Sequence, residues 1–231
     1  LFKPTGSWVA IPTPFNEDES VDYQGFQTLI DHHVSNGTSS LLALGSAGET
    51  TLLTMEEKKN IIRQVSRQAG GKIPVFFGTT CSSTRETMEL SRYAESQGAD
   101  GVVLTVPPYL LPPQEAALEH FLAVGQSISI PFGLYNNPSR VGVFVEPETI
   151  AALYRRCPNF VADKEAMPRV SQLVEAPDRR QCSRTLLRFP QIFHSFAHPG
   201  PGRTRHGQHR GQHHPPGDGR NVQALGQLRS G

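Results

Sequence analysis

Phe160-Val161-Ala162-Asp163-Lys164-Glu165-Ala166 places a lysine near the end of an otherwise apolar run. Buried lysines are rare, and burial lowers the amine's pKa toward the neutral form that attacks a ketone. In an extended strand, alternation sends Asp163 and Glu165 to the face opposite the Lys164 amine. The same residues also suit an exposed edge strand whose lysine is held in a salt bridge. The rest of the chain has to decide between the two.

Five similar runs precede this one: Trp8–Ile11, Ser40–Leu44, Ile73–Phe77, Gly101–Val106 and Pro131–Tyr135. They recur at the ~30-residue spacing of a strand, a helix and two loops. Being nearly continuous rather than alternating, they read as buried parallel strands. Between them, Phe26, Leu29, Ile30, His33 and Val34 mark one helical face. Thr54-Met55-Glu56-Glu57 and Ser83-Thr84-Arg85-Glu86 are capping boxes that open the next helices. Gln114–Ser127 and Pro147–Arg156 follow, with Pro147 suited to a first helical turn. Six units in strict alternation define an α/β protein, either a barrel or a doubly wound open sheet. No G-x-G-x-x-G follows the first strand, which argues against the dinucleotide-binding version.

The bulk properties set outer limits. The 231 residues suffice for one domain with a full core, and 37% are hydrophobic. Mean hydropathy is −0.36, and no apolar run approaches the ~20 residues of a membrane helix. Leu1-Phe2-Lys3-Pro4 leads straight into a strand-like segment without a signal-peptide pattern. Cys81, Cys157 and Cys182 are odd in number and far apart, which fits a reducing cytoplasm.

Functional groups of a barrel gather just after the strand C-termini. After the second strand comes Gly45-Ser46-Ala47-Gly48-Glu49. Its two glycines let backbone approach a ligand, and its hydroxyl and N–H groups suit a carboxylate or a proton relay. For an isolated G-S-x-G, a plain strand-to-helix turn is the more ordinary reading. Pro107-Pro108-Tyr109 follows the fourth strand, and Tyr135-Asn136-Asn137-Pro138-Ser139-Arg140 lies at the fifth. Either tyrosine also suits a core ring with a satisfied hydroxyl.

Taken together, G-S-x-G-E, P-x-Y, Y-N-x-P-S-R and K-E-A, in this order and spacing, resemble the dihydrodipicolinate synthase/N-acetylneuraminate lyase family over residues 5 to about 175. The resemblance implies a (β/α)8 TIM barrel of which this chain encodes the first six β-α units, in residues 1–176. It implies a class I aldolase or lyase, cytoplasmic and homotetrameric, needing no metal or cofactor beyond a covalent imine on its own lysine. Its substrates would be pyruvate or another 2-oxo acid and an aldehyde, with neither nucleic acid nor membrane as a partner. Lys164 matches the imine-forming lysine, Tyr135 the proton-shuttling tyrosine, and Ser46 the loop hydroxyl that relays protons. Tyr109 matches the tyrosine that reaches into a neighbouring subunit's site. Ala47 and Gly48 fall in the loop that holds the pyruvate carboxylate, and Arg140 matches the arginine that reads the second substrate's carboxylate.

Arg140 tilts the expectation toward a condensation like that of 4-hydroxy-tetrahydrodipicolinate synthase. Ala47, standing where such synthases usually carry a second threonine, leaves open a catabolic 2-keto-3-deoxy sugar acid aldolase or dehydratase. A reading of another class is an inactive remnant or binding protein with a basic tail.

Composition breaks sharply near Pro177. Residues 1–176 carry a net charge of −6, whereas 177–231 carry +7, with nine Arg, no Lys and six of the nine His. His206-Gly207-Gln208-His209-Arg210-Gly211-Gln212-His213-His214 has no strand pattern and almost no helix pattern. Taken literally it is a disordered basic arm or a His-rich metal tract, though its spacings match no usual zinc site. A shifted reading frame accounts for it better. With suitable codons, Arg205 to Pro215 read one base later gives Gly-Met-Ala-Asn-Ile-Gly-Gly-Asn-Ile-Thr-Pro, which resembles the glycine-rich final strand of the family. On this reading residues 177–231 are a frameshifted, disordered tail, and the six strands leave the first and last as open edges. The chain as written is then expected to be inactive and prone to aggregate, with Lys164 largely stripped of the desolvation it needs.

Overall fold

The structure, a computed structural model, describes residues 6–166. The proposed tail, residues 177–231, lies outside the described residues. The strands are β1 (Trp8–Ala10), β2 (Ser40–Ala43), β3 (Val75–Gly78), β4 (Gly101–Leu104), β5 (Phe132–Asn136) and β6 (Phe160–Glu165). Between them run α1 (Tyr23–Ser35), α2 (Met55–Ala69), α3 (Thr84–Ser96), α4 (Gln114–Gln126), α5 (Pro138–Val141) and α6 (Pro147–Arg156). β6 extends past the apolar run Phe160–Ala162 because Asp163 and Lys164 are buried despite their polarity. β3 starts after Pro74, which has no N–H to give the ladder.

Sheet order separates the two architectures that alternation leaves open. All pairs are parallel and the order is β1-β2-β3-β4-β5-β6. A doubly wound sheet reverses direction at a switch point. Here every crossover advances to the next strand, so with one handedness the helices all fall on one side and the sheet curls as an arc of a barrel.

Two apolar layers follow from this curl. The outer face of the sheet packs Phe77, Leu104 and Phe132 against Ile61, Leu90 and Phe121 of the helices. The inner face carries Trp8, Ala10, Leu42, Phe76, Val103 and Tyr135, with the Trp8 and Phe76 rings 4.4 Å apart. Gly101 leaves room for Phe76, whose Cε1 lies 2.3 Å from where a Cβ would stand.

Local chemistry sets the helix starts. Asp22 caps α1 by accepting from the N–H groups of Gln24 and Gly25, both at 2.9 Å. The capping box at α2 is complete: Glu57 N–H donates to Thr54 Oγ1 at 3.2 Å and Thr54 N–H to Glu57 Oε2 at 2.7 Å. At α3, Ser83 accepts from Glu86 N–H, but Glu86 takes the Ser83 hydroxyl rather than its backbone N–H. Among the described residues, no helix is long and apolar enough to cross a membrane.

Candidate active site

The orientation of the β6 lysine depends on one irregularity. Phe160 pairs with Phe132, but Ala162 pairs with the very next residue, Gly133, so Val161 is an extra residue in the ladder. Strict alternation from Phe160 would put Phe160, Ala162 and Lys164 on one face. The bulge reverses that parity. Phe160 faces outward against the Phe132 ring at 5.3 Å, whereas Lys164 pairs with Tyr135 and turns to the inner face.

Lys164 is only 7% exposed. Its Nζ stands 4.1 Å from the centroid of the Tyr135 ring. The cavity beside it is lined by Trp8, Leu42, Phe76 and Val103. Burial in these surroundings lowers its pKa to about 8. The exposed edge strand is thereby excluded. The expectation that an edge position would strip Lys164 of its desolvation is also corrected, because the curl lays the inner faces of the other strands across it.

Asp163 and Glu165 fall on the opposite face, as alternation requires. Among the described residues, neither oxygen of Asp163 and not Glu165 Oε2 meets an N–H or O–H donor. Burial, then the charge of Glu165, pushes the Asp163 carboxyl well above the usual carboxylate range, and burial pushes Glu165 up as well. Glu165 Oε1 accepts from Asn136 Nδ2 at 2.7 Å. Asn136 also clamps the loop before α6, donating to Val145 O at 2.9 Å and accepting from Val145 N–H at 3.0 Å.

Tyr135 is 5% exposed, and its hydroxyl oxygen accepts from Asn137 Nδ2 at 2.6 Å. Ser139 Oγ in turn donates to Asn137 Oδ1 at 2.6 Å. Of the residues expected from sequence, Lys164 and Tyr135 stand in direct contact. Ser46 and Ala47 are exposed, in a 3-10 turn that spans Ser46–Gly48 just after β2. Gly48 is buried, and its carbonyl accepts from Thr13 Oγ1 at 2.7 Å. Gly78 makes room for this turn: a Cβ there would lie 2.2 Å from Leu44 O. Arg140 is exposed on α5 and makes no ion pair among the described residues. Tyr109 is 94% exposed with a left-handed φ of 76°. Leu110 and Leu111, next in the chain, are exposed as well. All these groups follow the C-terminal ends of their strands, where barrel chemistry gathers.

Sequence reasoning assigned no role to Thr13, Asn136 or Asn137. The signal for Asn137 was present: it lies two residues beyond Tyr135 in an extended segment, hence on the same face. Among the described residues, no three His, Cys, Asp or Glu side chains cluster as metal ligands.

Residues 3–187 match the dihydrodipicolinate synthetase family. The 4-hydroxy-tetrahydrodipicolinate synthase of Methanococcus maripaludis strain C6 is 43% identical over 173 residues, 75% of this chain and 60% of that protein. The chain thus spans about three fifths of the length of this curated relative. The crystal structure of dihydrodipicolinate synthase from Aquifex aeolicus superposes with a TM-score of 0.75 at 39% identity, covering 79% of this chain and 62% of that one. The chloride-inhibited dihydrodipicolinate synthase from Acinetobacter baumannii, complexed with pyruvate, gives a TM-score of 0.70 at 38% identity, covering 72% and 57%.

Proposed function

This chain belongs to the dihydrodipicolinate synthetase family, and from that premise we propose that it carries the imine-forming site of a pyruvate-dependent lyase, with Lys164 as the covalent residue. The observation that carries this reading is the buried Lys164 amine against the Tyr135 ring, on the inner face of the sheet. With a pKa near 8, roughly a tenth of the amine is neutral at pH 7, against a negligible share for an ordinary lysine.

The neutral amine adds to the carbonyl carbon of pyruvate to form a carbinolamine. Its nitrogen lone pair then closes the C=N bond as the C–O bond breaks. The departing oxygen takes the Tyr135 proton and leaves as water, with the iminium facing a tyrosinate. That tyrosinate removes a proton from the substrate methyl group, giving a neutral enamine and regenerating the phenol. The enamine carbon attacks an aldehyde, or the reverse path cleaves one off. No metal or external cofactor enters these steps.

The favoured second substrate is an aldehyde bearing a carboxylate, as for a 4-hydroxy-tetrahydrodipicolinate synthase. Arg140, an exposed planar fork on α5 just after β5, would read that carboxylate. Ser46 and the backbone of Ala47 and Gly48 would hold the pyruvate carboxylate. Ala47 favours a second reading, a 2-keto-3-deoxy sugar acid aldolase or dehydratase, because the loop lacks a second hydroxyl. The exposed Tyr109, Leu110 and Leu111 support a homo-oligomer, a tetramer on the family pattern, in which Tyr109 completes a neighbour's site. Two buried free cysteines, Cys81 and Cys157, support a cytoplasmic setting.

Proton exchange tests the proposal without a second substrate. In deuterated buffer the chain should exchange the methyl protons of pyruvate, followed by NMR, and Lys164→Ala should not. Equal exchange by both proteins would remove Lys164 from the mechanism.

A further inference from the structure

We propose that Asn137 is a positioning residue for Tyr135: it holds the phenol oxygen as a hydrogen-bond acceptor, so that the phenol proton points to the substrate on Lys164. The inference rests on the imine reading of Lys164 and adds a residue which that reading does not contain.

Asn137 follows β5 and lies on the face of Tyr135. Its amide nitrogen donates to Tyr135 Oη at 2.6 Å. The amide oxygen accepts from Ser139 Oγ at 2.6 Å, so both ends of the amide are engaged, with the NH2 end on Tyr135. Asn137 is 4% exposed and Tyr135 5%, so water does not compete for the bond.

A phenol has one proton to give. Because its oxygen already accepts from Asn137, that proton is directed elsewhere, toward the carbinolamine oxygen above Lys164. Once transferred, the same Asn137 N–H faces a tyrosinate, and a hydrogen bond to a charged oxygen is about twice as strong as a neutral one. Asn137 therefore helps more after proton transfer than before, the condition for lowering a barrier. Its backbone serves a second group: Asn137 O accepts from the N–H groups of Arg140 at 3.0 Å and Val141 at 3.1 Å. One residue thus fixes both the tyrosine proton and the start of the turn that presents Arg140.

The isosteric change Asn137→Asp removes the donor and offers the phenol an acceptor, turning its proton away from the substrate. The experiment measures, on the 231-residue chain, the rate of borohydride-trapped pyruvate adduct against pyruvate concentration and pH. Asn137→Asp should lower the limiting rate by about tenfold or more, while half-saturating pyruvate stays within about twofold. Ser139→Ala, at the surface and keeping the donor, should lose about two- to fivefold through amide disorder. It carries the test alone if Asn137→Asp does not fold. Wild-type rates in the variant that folds, or a faster Asn137→Asp, would overturn the proposal by showing the opposite bond polarity or none. A loss confined to half-saturating pyruvate would also overturn it, as a purely structural role. If the unaltered chain forms no adduct, the reading of Lys164 falls and this inference falls with it.

Discussion

Lys164 and Asp163 are neighbours in sequence, yet they face opposite sides of one strand, and burial acts on both. The Lys164 pKa is lowered to about 8, so the rate of imine formation at saturating pyruvate should rise with pH and level off above about 8. A rate that still climbs toward pH 10 would mean an ordinary, solvated amine. The same burial has a cost in stability. Lys164 has a depressed folded-state pKa, so its contribution is fully present above its unfolded pKa and is lost as pH falls through about 8. Asp163 has a raised one, so its contribution is fully present below the ordinary carboxylate pKa and is lost as pH rises through the folded value. At neutral pH both are therefore unfavourable. Asp163→Leu, which fills the site with an apolar side chain among outward-facing residues, should stabilise the chain by about 1–3 kcal/mol at pH 8. The gain should shrink toward pH 4. Urea unfolding at the two pH values measures it, and a destabilised variant would mean that the Asp163–Glu165 pair holds the strand in place.

At the scale of elements, the bulge at Val161 decides which face the lysine takes. Deleting Val161 removes the extra residue without changing that outcome: with Phe160 still packed on Phe132, Ala162 pairs with Gly133 and Lys164 stays on the inner face opposite Tyr135. Pyruvate trapping should then be retained. Loss of trapping in a variant that still folds would show that the extra residue itself, rather than the register it sets, positions Lys164. Gly78→Ala drives a methyl group into Leu44 O, which is backbone and cannot swing aside. It should cost about 1–3 kcal/mol and displace the Gly45–Gly48 turn, read by urea unfolding. Much of this was legible in the sequence. Six nearly continuous apolar runs marked all six strands, and Thr54–Glu57 and Pro147 marked helix starts. The Val161 bulge was not legible, because an extra residue changes register without changing hydropathy. Nor was the bond from Asn137 to Tyr135, because a polar side chain in a Y-N-N-P turn reads first as turn chemistry. Of the site, Lys164 and Tyr135 could be placed together from their strand positions. The exposure of Ser46, Tyr109 and Arg140 depends on loop conformations that no periodicity encodes.

For the whole molecule, an open sheet of six parallel strands holds Lys164 and Tyr135 but does not close a barrel among the described residues. Closure of eight strands links strand number, tilt and shear. Residues 177–231, with six prolines, eight glycines and few apolar side chains, offer little with which to build two more units. The 231-residue chain should therefore form the imine yet show no carbon–carbon bond turnover with an aldehyde. Restoring the reading frame by a single-base change near the codon for Pro177 should recover turnover. Turnover by the unaltered chain would refute the frame-shift account of the tail. The central claim, that Lys164 is the imine lysine, is tested most directly by borohydride reduction of this chain with pyruvate, followed by peptide mapping. A single reduced pyruvate on Lys164 is the predicted result; an adduct on Lys72 or Lys3, or none at all, would contradict it.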